Sequence, residues 1–289
     1  NLNMVRDKVR DKVELRTPRG GSSNEAVFIV KKQQVKPKLS ETYDTRIPRV
    51  VGTILTRETL FGPVEHISNA CDIAELRLDG MSPAADCLER ACEIESNWQP
   101  LLLTVRLERD GGGWADKKEA DRGKLLEQGL SSLSCIDIEI QSTLRLDLCQ
   151  QAREEGKNII VSFHDFSGTP KLDELREIVG TVLAPYPEGI ICKVATMTQA
   201  PEDVETLREL LASEQGRLSV LGMGKWGPST RIEFPMSGSV LTYGYIDKQS
   251  APGQQSAREL VDVLTRRMPE YAAARRSSSR SLWRVGHVS

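Results

Sequence analysis

No apolar run in this chain approaches the roughly 20 residues that a membrane-crossing helix needs, so no membrane role is expected. Neither sign of charge is in excess: 39 Lys and Arg stand against 41 Asp and Glu, a formal net charge of −2. That balance leaves no overall pull toward nucleic acid. The six cysteines, at 71, 87, 92, 135, 149 and 192, include no Cys-x-x-Cys pair. They lie mostly in apolar or helical contexts, as small buried hydrophobes do, so neither a metal site nor a disulfide framework is expected. Residues 1–10 are charged throughout and lack the apolar centre of a secretory signal, which points to a reducing compartment, with the cytoplasm as the default. Histidine is scarce as well, with only His66, His164 and His287. What remains, 289 residues that are 39% hydrophobic and 28% charged, fits a globular protein of one or two domains.

Residues 1–45 are polar and punctuated, with a loop at Arg19-Gly20-Gly21-Ser22-Ser23 and a short strand at 26–31, the pattern of an N-terminal extension or hairpin cap. Residues 271–289 read as a solvated Arg/Ser-rich tail in which Trp283 is the one docking candidate. Between them, over 46–270, short apolar runs alternate with longer amphipathic ones. Strands are predicted at 49–55, 73–78, 100–105, 135–140, 158–163, 189–195, 218–223 and 239–245. Helices are predicted at 64–70, 83–95, 117–133, 144–155, 172–183, 201–213, 228–234 and 256–268. Eight such units in about 220 residues fit an α/β fold of the (β/α)8 TIM-barrel type better than an open doubly wound sheet.

Charges fall where a barrel places its chemistry, at the C-terminal strand ends. The second strand carries Glu75, Arg77 and Asp79 in alternation with Leu76 and Leu78, so the three charges share one face. The third ends at Arg106, the fourth holds Asp137-Ile138-Glu139, and the fifth ends at His164-Asp165. Arg231 and the loop Gln249-Ser250-Ala251-Pro252-Gly253-Gln254 come with the last two units. The most telling residue is Lys193, a cation inside the apolar run Gly189-Ile190-Ile191-Cys192-Lys193-Val194-Ala195. Burial strips hydration from an ammonium, lowers its pKa and frees a nucleophilic amine; a structurally paired core lysine is the plainer alternative. His164 is the natural proton-transfer group, because His66 and His287 lie in a helical segment and a tail. Lysine, histidine and interior arginines together suggest imine chemistry on a substrate with a ketone and a carboxylate. These residues do not distinguish elimination from aldol cleavage.

Seven motifs over residues 47–268 resemble the type I 3-dehydroquinate dehydratase family. They are Glu75-Leu76-Arg77-Leu78-Asp79, Leu103-Thr104-Val105-Arg106, Ile136-Asp137-Ile138-Glu139, Ser162-Phe163-His164-Asp165-Phe166, Cys192-Lys193-Val194-Ala195, Met223 to Arg231, and Ser250-Ala251-Pro252-Gly253-Gln254. Their order and spacing agree with the family.

The resemblance implies a (β/α)8 barrel lyase that removes water from 3-dehydroquinate by syn elimination in the shikimate pathway. It implies a Schiff base on Lys193, with His164 as general base and then acid. Arg231 would clamp the substrate carboxylate, while Glu75, Arg77, Arg106, Ser250 and Gln254 hold ring hydroxyls and orient the ketone. No cofactor and no metal is implied, and a homodimer is. Two positions depart from the family pattern. Asp110, before Gly111-Gly112-Gly113, stands where a glutamate usually supports the histidine, which shortens the reach by one methylene, and Thr230 replaces a serine. The alternatives are another lysine-imine enzyme such as a class I aldolase, or a non-enzymatic barrel descendant with a binding role. The loop 250–254 is expected to close over substrate.

Overall fold

The computed structural model describes residues 47–277, apart from 83, 98, 187–188, 215 and 250–253. The expectations placed on residues 1–45, on Trp283 and on Ser250 lie outside the described residues.

Eight parallel strands form one sheet in the order β7-β6-β5-β4-β3-β2-β1-β8, rolled into a nearly closed barrel. They are β1 (Arg49–Ile54), β2 (Ile73–Arg77), β3 (Leu101–Thr104), β4 (Cys135–Glu139), β5 (Asn158–Asp165), β6 (Ile190–Met197), β7 (Leu218–Met223) and β8 (Leu241–Tyr245). The helices are α1 (Arg57–Phe61), α2 (Val64–Ala70), α3 (Ala84–Asn97), α4 (Glu119–Ser132), α5 (Arg145–Glu155), α6 (Leu172–Leu183), α7 (Pro201–Ser213), α8 (Gly227–Met236), α9 (Ala257–Arg267) and α10 (Pro269–Ser277). The TIM-barrel expectation is met.

Strand alternation sorts the apolar residues into two layers. Ile73, Leu102, Cys135, Ile160, Leu221 and Leu241 pack together as one buried cluster, the barrel's own filling. Their neighbours in the chain, Ala74, Leu101, Leu103, Ile136, Ile159 and Val161, belong to the larger cluster shared with helices such as α4, through Leu126 and Leu130, and α9, through Leu260 and Leu264. The start of α9 is written in its residues, since Ser256 Oγ accepts from Glu259 N while the Glu259 carboxylate reaches back to Ser256. Gly156, in the left-handed region at φ 65°, ends α5.

The barrel closes differently at one place. Among the described residues, β7 and β8 are not paired as a ladder, and one backbone hydrogen bond crosses at the base from the residue just before β8, Val240 N to Leu218 O, at 3.0 Å. Two serine hydroxyls add to it: Ser219 Oγ donates across to Leu241 O at 3.0 Å, and Ser239 Oγ accepts from Val220 N across the seam at 3.0 Å while donating to Leu241 O of its own segment at 3.0 Å.

Two elements differ from the sequence reading. Residues 57–61 form α1, a short helix started by the Thr56 side chain, where no element was predicted. Residues 271–277, read as solvated tail, are helical within α10 instead. Tyr271 is fully buried and donates to Asp72 Oδ2 at 2.7 Å, and Arg275 pairs with the other oxygen of Asp72. Asp72 also accepts from Val50 N at 2.8 Å, so α10 is tied to the N-terminal end of the barrel.

Candidate active site

Above the apolar filling, the inward positions turn polar. The register sets Glu75 beside Thr53, Asp137 beside Thr104, and Lys193 beside Ser162. Such a layer is stable only if each group is paired. Glu75 accepts from Thr53 Oγ1 and Thr104 Oγ1, both at 2.8 Å. Arg106, two residues past β3, reaches inward and donates to Asp137 Oδ1 at 2.8 Å, Glu139 Oε1 at 3.0 Å and Ser162 Oγ at 2.8 Å. Glu139 turns its other oxygen to Arg122 of α4, at 2.6 Å, and Arg122 also donates to Val105 O and Ser142 Oγ. Arg77 and Asp79 form a bidentate pair at 2.9 Å. Asp79 is not a third inward strand charge as predicted: it lies in a 3-10 turn after β2 and accepts the amides of Arg106 and Gly113.

Lys193 is buried in this layer. Its Nζ stands 3.3 Å from Asp137 Oδ2 and 4.4 Å from the centre of the Tyr243 ring. Burial, helped by the charge of Arg106, lowers its pKa, while Asp137 opposes the shift. The lysine is therefore paired and activated at once, so the plain and the functional readings of its sequence describe the same contacts. Asp137 is held well below the ordinary carboxylate range by Arg106 and Lys193 against its own burial.

His164 lies inside β5, opposite Ala195. Its pKa falls well below 6.5 through burial, then through the charges of Arg106 and Lys193, so the imidazole is neutral at neutral pH. Its ring stacks parallel to Phe166 at 6.1 Å. The Nδ1 atom is sealed from solvent with no hydrogen-bond partner, and so is Oδ2 of Asp110. The structure thus does not join Asp110 to the histidine by a hydrogen bond. Asp110 sits instead at the start of a glycine turn that lies close over Arg106. Gly111 is left-handed at φ 79°, and a Cβ on Gly112 would come within 2.1 Å of Arg106 O. Burial, then Glu139, raises the Asp110 pKa.

Arg231 projects from α8, and its Nη1 donates to the Tyr243 carbonyl at 2.9 Å. It is buried, its Nε has no partner, and among the described residues no carboxylate pairs with it. Burial alone pulls its pKa down to about 10. Arg106 and Lys193 are offset by Asp137, Glu139 and Glu75, whereas the charge of Arg231 is open to an anion from outside. Gln254 is buried at the barrel mouth, where its carbonyl accepts from Gln249 Nε2 at 3.0 Å. Among the described residues, no cluster of His, Cys, Asp and Glu is arranged to hold a metal ion.

Sequence reasoning brought Glu75, Arg77, Arg106, His164, Lys193, Arg231 and Gln254 to this end of the barrel. It gave no role to Asp137 as partner of Lys193, although its alternation with Ile138 marks it as inward facing. Tyr243 and Arg122 were missed. Nothing local marks Arg122, whose partner Glu139 lies 17 positions away.

Comparisons with known proteins agree with this geometry. Residues 53–268 match the family described as Type I 3-dehydroquinase. The 3-dehydroquinate dehydratase of Methanococcus maripaludis (strain C6) is 35% identical over 198 residues, covering 67% of this chain and 87% of the relative. That of Thermodesulfovibrio yellowstonii is 30% identical over 220 residues, covering 75% and 94%. The crystal structure of the 3-dehydroquinate dehydratase from Aquifex aeolicus VF5 superposes with a TM-score of 0.65 at 27% identity, covering 75% of this chain and 97% of that one.

Proposed function

Because this chain belongs to the type I 3-dehydroquinase family and catalyses the dehydration of 3-dehydroquinate, a step of the shikimate pathway, we propose that Lys193, His164 and Arg231 carry that reaction. The observation that supports these roles is a buried lysine, its pKa lowered by burial, that faces the ring of Tyr243, while the carbonyl of the same tyrosine holds a guanidinium that lacks a carboxylate among the described residues. Arg231 takes the substrate carboxylate, its planar fork offering parallel N–H groups that a lysine lacks. The neutral Lys193 amine adds to the ketone carbon, and loss of one water with uptake of one proton leaves a protonated imine. His164 Nε2 or Nδ1, neutral in this setting, removes a proton from the carbon next to the imine; that C–H pair forms a C=C bond to the imine carbon, and the C=N π pair moves onto nitrogen to give an enamine. The enamine pushes out the hydroxyl on the following carbon, which leaves as water after taking the proton back from His164. Hydrolysis of the conjugated iminium then frees 3-dehydroshikimate and restores the amine, so one water is lost overall.

Glu75, Arg77, Arg106 and Gln254 hold ring hydroxyls and the ketone in this reading, Arg106 with the N–H groups not taken by Asp137, Glu139 and Ser162. Ser250 completes the set from the family motif. Asp110 keeps its place in the set from the family motif, although no hydrogen bond joins it to His164. A homodimer and a cytoplasmic setting belong to the same reading. Among the described residues no helix is long and apolar enough to cross a membrane.

Borohydride reduction during turnover, followed by intact and peptide mass spectrometry, tests the assignment. The wild-type protein is expected to gain one reduced ligand adduct on the peptide that holds Lys193, and Lys193→Ala to gain none and lose turnover. An adduct on any other lysine, or turnover in the alanine variant, would overturn it.

A further inference from the structure

The nitrogen that becomes the imine has two walls. One is Asp137 Oδ2 at 3.3 Å, on a carboxylate whose other oxygen is already taken by Arg106 and Ser162. The other is the face of Tyr243 on β8, its ring centre 4.4 Å from Nζ, well within the range where an aromatic face attracts a cation. Tyr243 is buried, and its hydroxyl has no hydrogen-bond partner. A tyrosine buried for its hydroxyl is normally satisfied there, so the feature in use at this position is the ring. Its backbone carbonyl meanwhile holds Nη1 of Arg231, which places one residue between the nitrogen that attacks and the guanidinium that anchors.

We propose that Tyr243 is a catalytic residue whose ring face carries part of the positive charge on the Lys193 nitrogen while that nitrogen is an iminium. The inference rests on the imine reading above. Nζ is itself the imine nitrogen, so the ring that faces the ammonium faces the iminium in the same place. A fixed quadrupole in a site closed to water stabilises that charge without having to reorganise. The ring makes no bond and moves no proton. What it favours is the cationic intermediate over the neutral carbinolamine before it and the neutral enamine after it. The other charged groups set around this nitrogen are Asp137 on β4, Glu75 on β2 and Arg106 after β3, with the neutral imidazole of His164 on β5 beside them. Asp137 and Glu75 share the ring's sign of effect, and Arg106 opposes it.

The test keeps the shape of the ring and drains its face. Tyr243→Phe and a series of increasingly fluorinated phenylalanines at 243 would be compared by kcat, by the pH dependence of borohydride trapping, and by binding of the ketone-reduced analogue of the substrate, which has a carboxylate but nothing for the lysine to attack. The phenylalanine variant is the reference for the series and is expected to unfold at higher denaturant, because it loses only an unpartnered hydroxyl. Across the fluorinated series kcat should fall stepwise, by roughly tenfold or more at the fully fluorinated ring. The acidic limb of trapping should move down by up to about one pH unit as the ammonium loses the same support. Analogue binding should hold throughout, which shows that the pocket is intact. A flat series in kcat and trapping, with the analogue still bound, overturns the role of Tyr243. Failure of the wild-type protein to trap an adduct on Lys193 overturns the imine reading instead.

Discussion

His164→Gln should still form the borohydride adduct on Lys193 while turnover falls roughly 10²- to 10⁴-fold, the range a positioned general acid–base contributes. Imine formation needs the free amine, and the influences that lower the Lys193 pKa toward it, burial and Arg106, do not depend on the histidine. Removal of the neighbouring carbon's proton and delivery of a proton to the departing hydroxyl both need His164, so the variant is expected to load and stall. Trapping in it is slower, because the histidine also helps water leave, but it is not lost. The wild-type pH profile carries the same logic. Burial and the charges of Arg106 and Lys193 push the imidazole pKa well below 6.5, so the base form survives into mildly acidic solution and its limb in the rate profile lies on the acid side of that value. The glutamine variant should lack that limb. Absorbance of the conjugated product measures turnover, and mass spectrometry measures the adduct. Wild-type turnover in the variant would remove His164 from the mechanism, and parallel loss of adduct and turnover would make it an imine-forming residue only.

Asp137→Asn is expected to cost about 3–5 kcal/mol of folding stability, the size seen when one partner is taken from a buried ion pair. The carboxylate is fully enclosed and serves Arg106, Lys193 and Ser162 together. An amide of the same shape keeps the volume but leaves two buried cations with Glu139 and Glu75 alone to balance them. The pH dependence has a definite sign. The folded-state pKa of Asp137 is depressed, so its contribution is fully present above about pH 4, the ordinary carboxylate value, and is lost as pH falls toward the depressed value. Removing Asp137 also takes away the strongest influence that holds the Lys193 pKa up, so the acidic limb of trapping should shift to lower pH. Urea midpoints at constant slope give the first number. A loss below about 1 kcal/mol would mean that the two cations are solvated, against their enclosure in this structure.

The strands were legible because each barrel strand is buried on both faces and reads as a short apolar run between helical patterns. Where polar residues entered the run the reading stopped early: β5 and β6 continue to Asp165 and Met197, and Asp165 pairs with Thr196 in the ladder. The same intrusions made the site visible. Glu75, Arg106, His164 and Lys193 each break an apolar pattern, and a charge in that position needs a partner or a use. What the pattern could not supply was the choice of partners. Arg122 has the spacing of an ordinary helical charge, and its destination is Glu139 on another element. Arg275 looked like part of a solvated run because Asp72 stands 203 positions earlier. Asp110 shows the limit from the other side: the motif assigned the position a supporting role, but with one methylene less and a glycine turn its carboxylate is not hydrogen-bonded to the histidine.

A sheet that curls into a cylinder escapes exposed edges only when its first and last strands meet. In this barrel that meeting depends on hydroxyl groups of Ser219 and Ser239 more than on paired backbone. Alanine at these two positions keeps nearly the same bulk, yet it leaves two adjacent strand borders with unanswered carbonyls and amides while the cylinder is forming. Such borders are templates for a neighbouring chain. Loss of the two hydroxyls, remote in role from any proton or imine, is therefore expected to appear as light scattering and a lower folded yield on refolding rather than as a change in kcat of the folded enzyme.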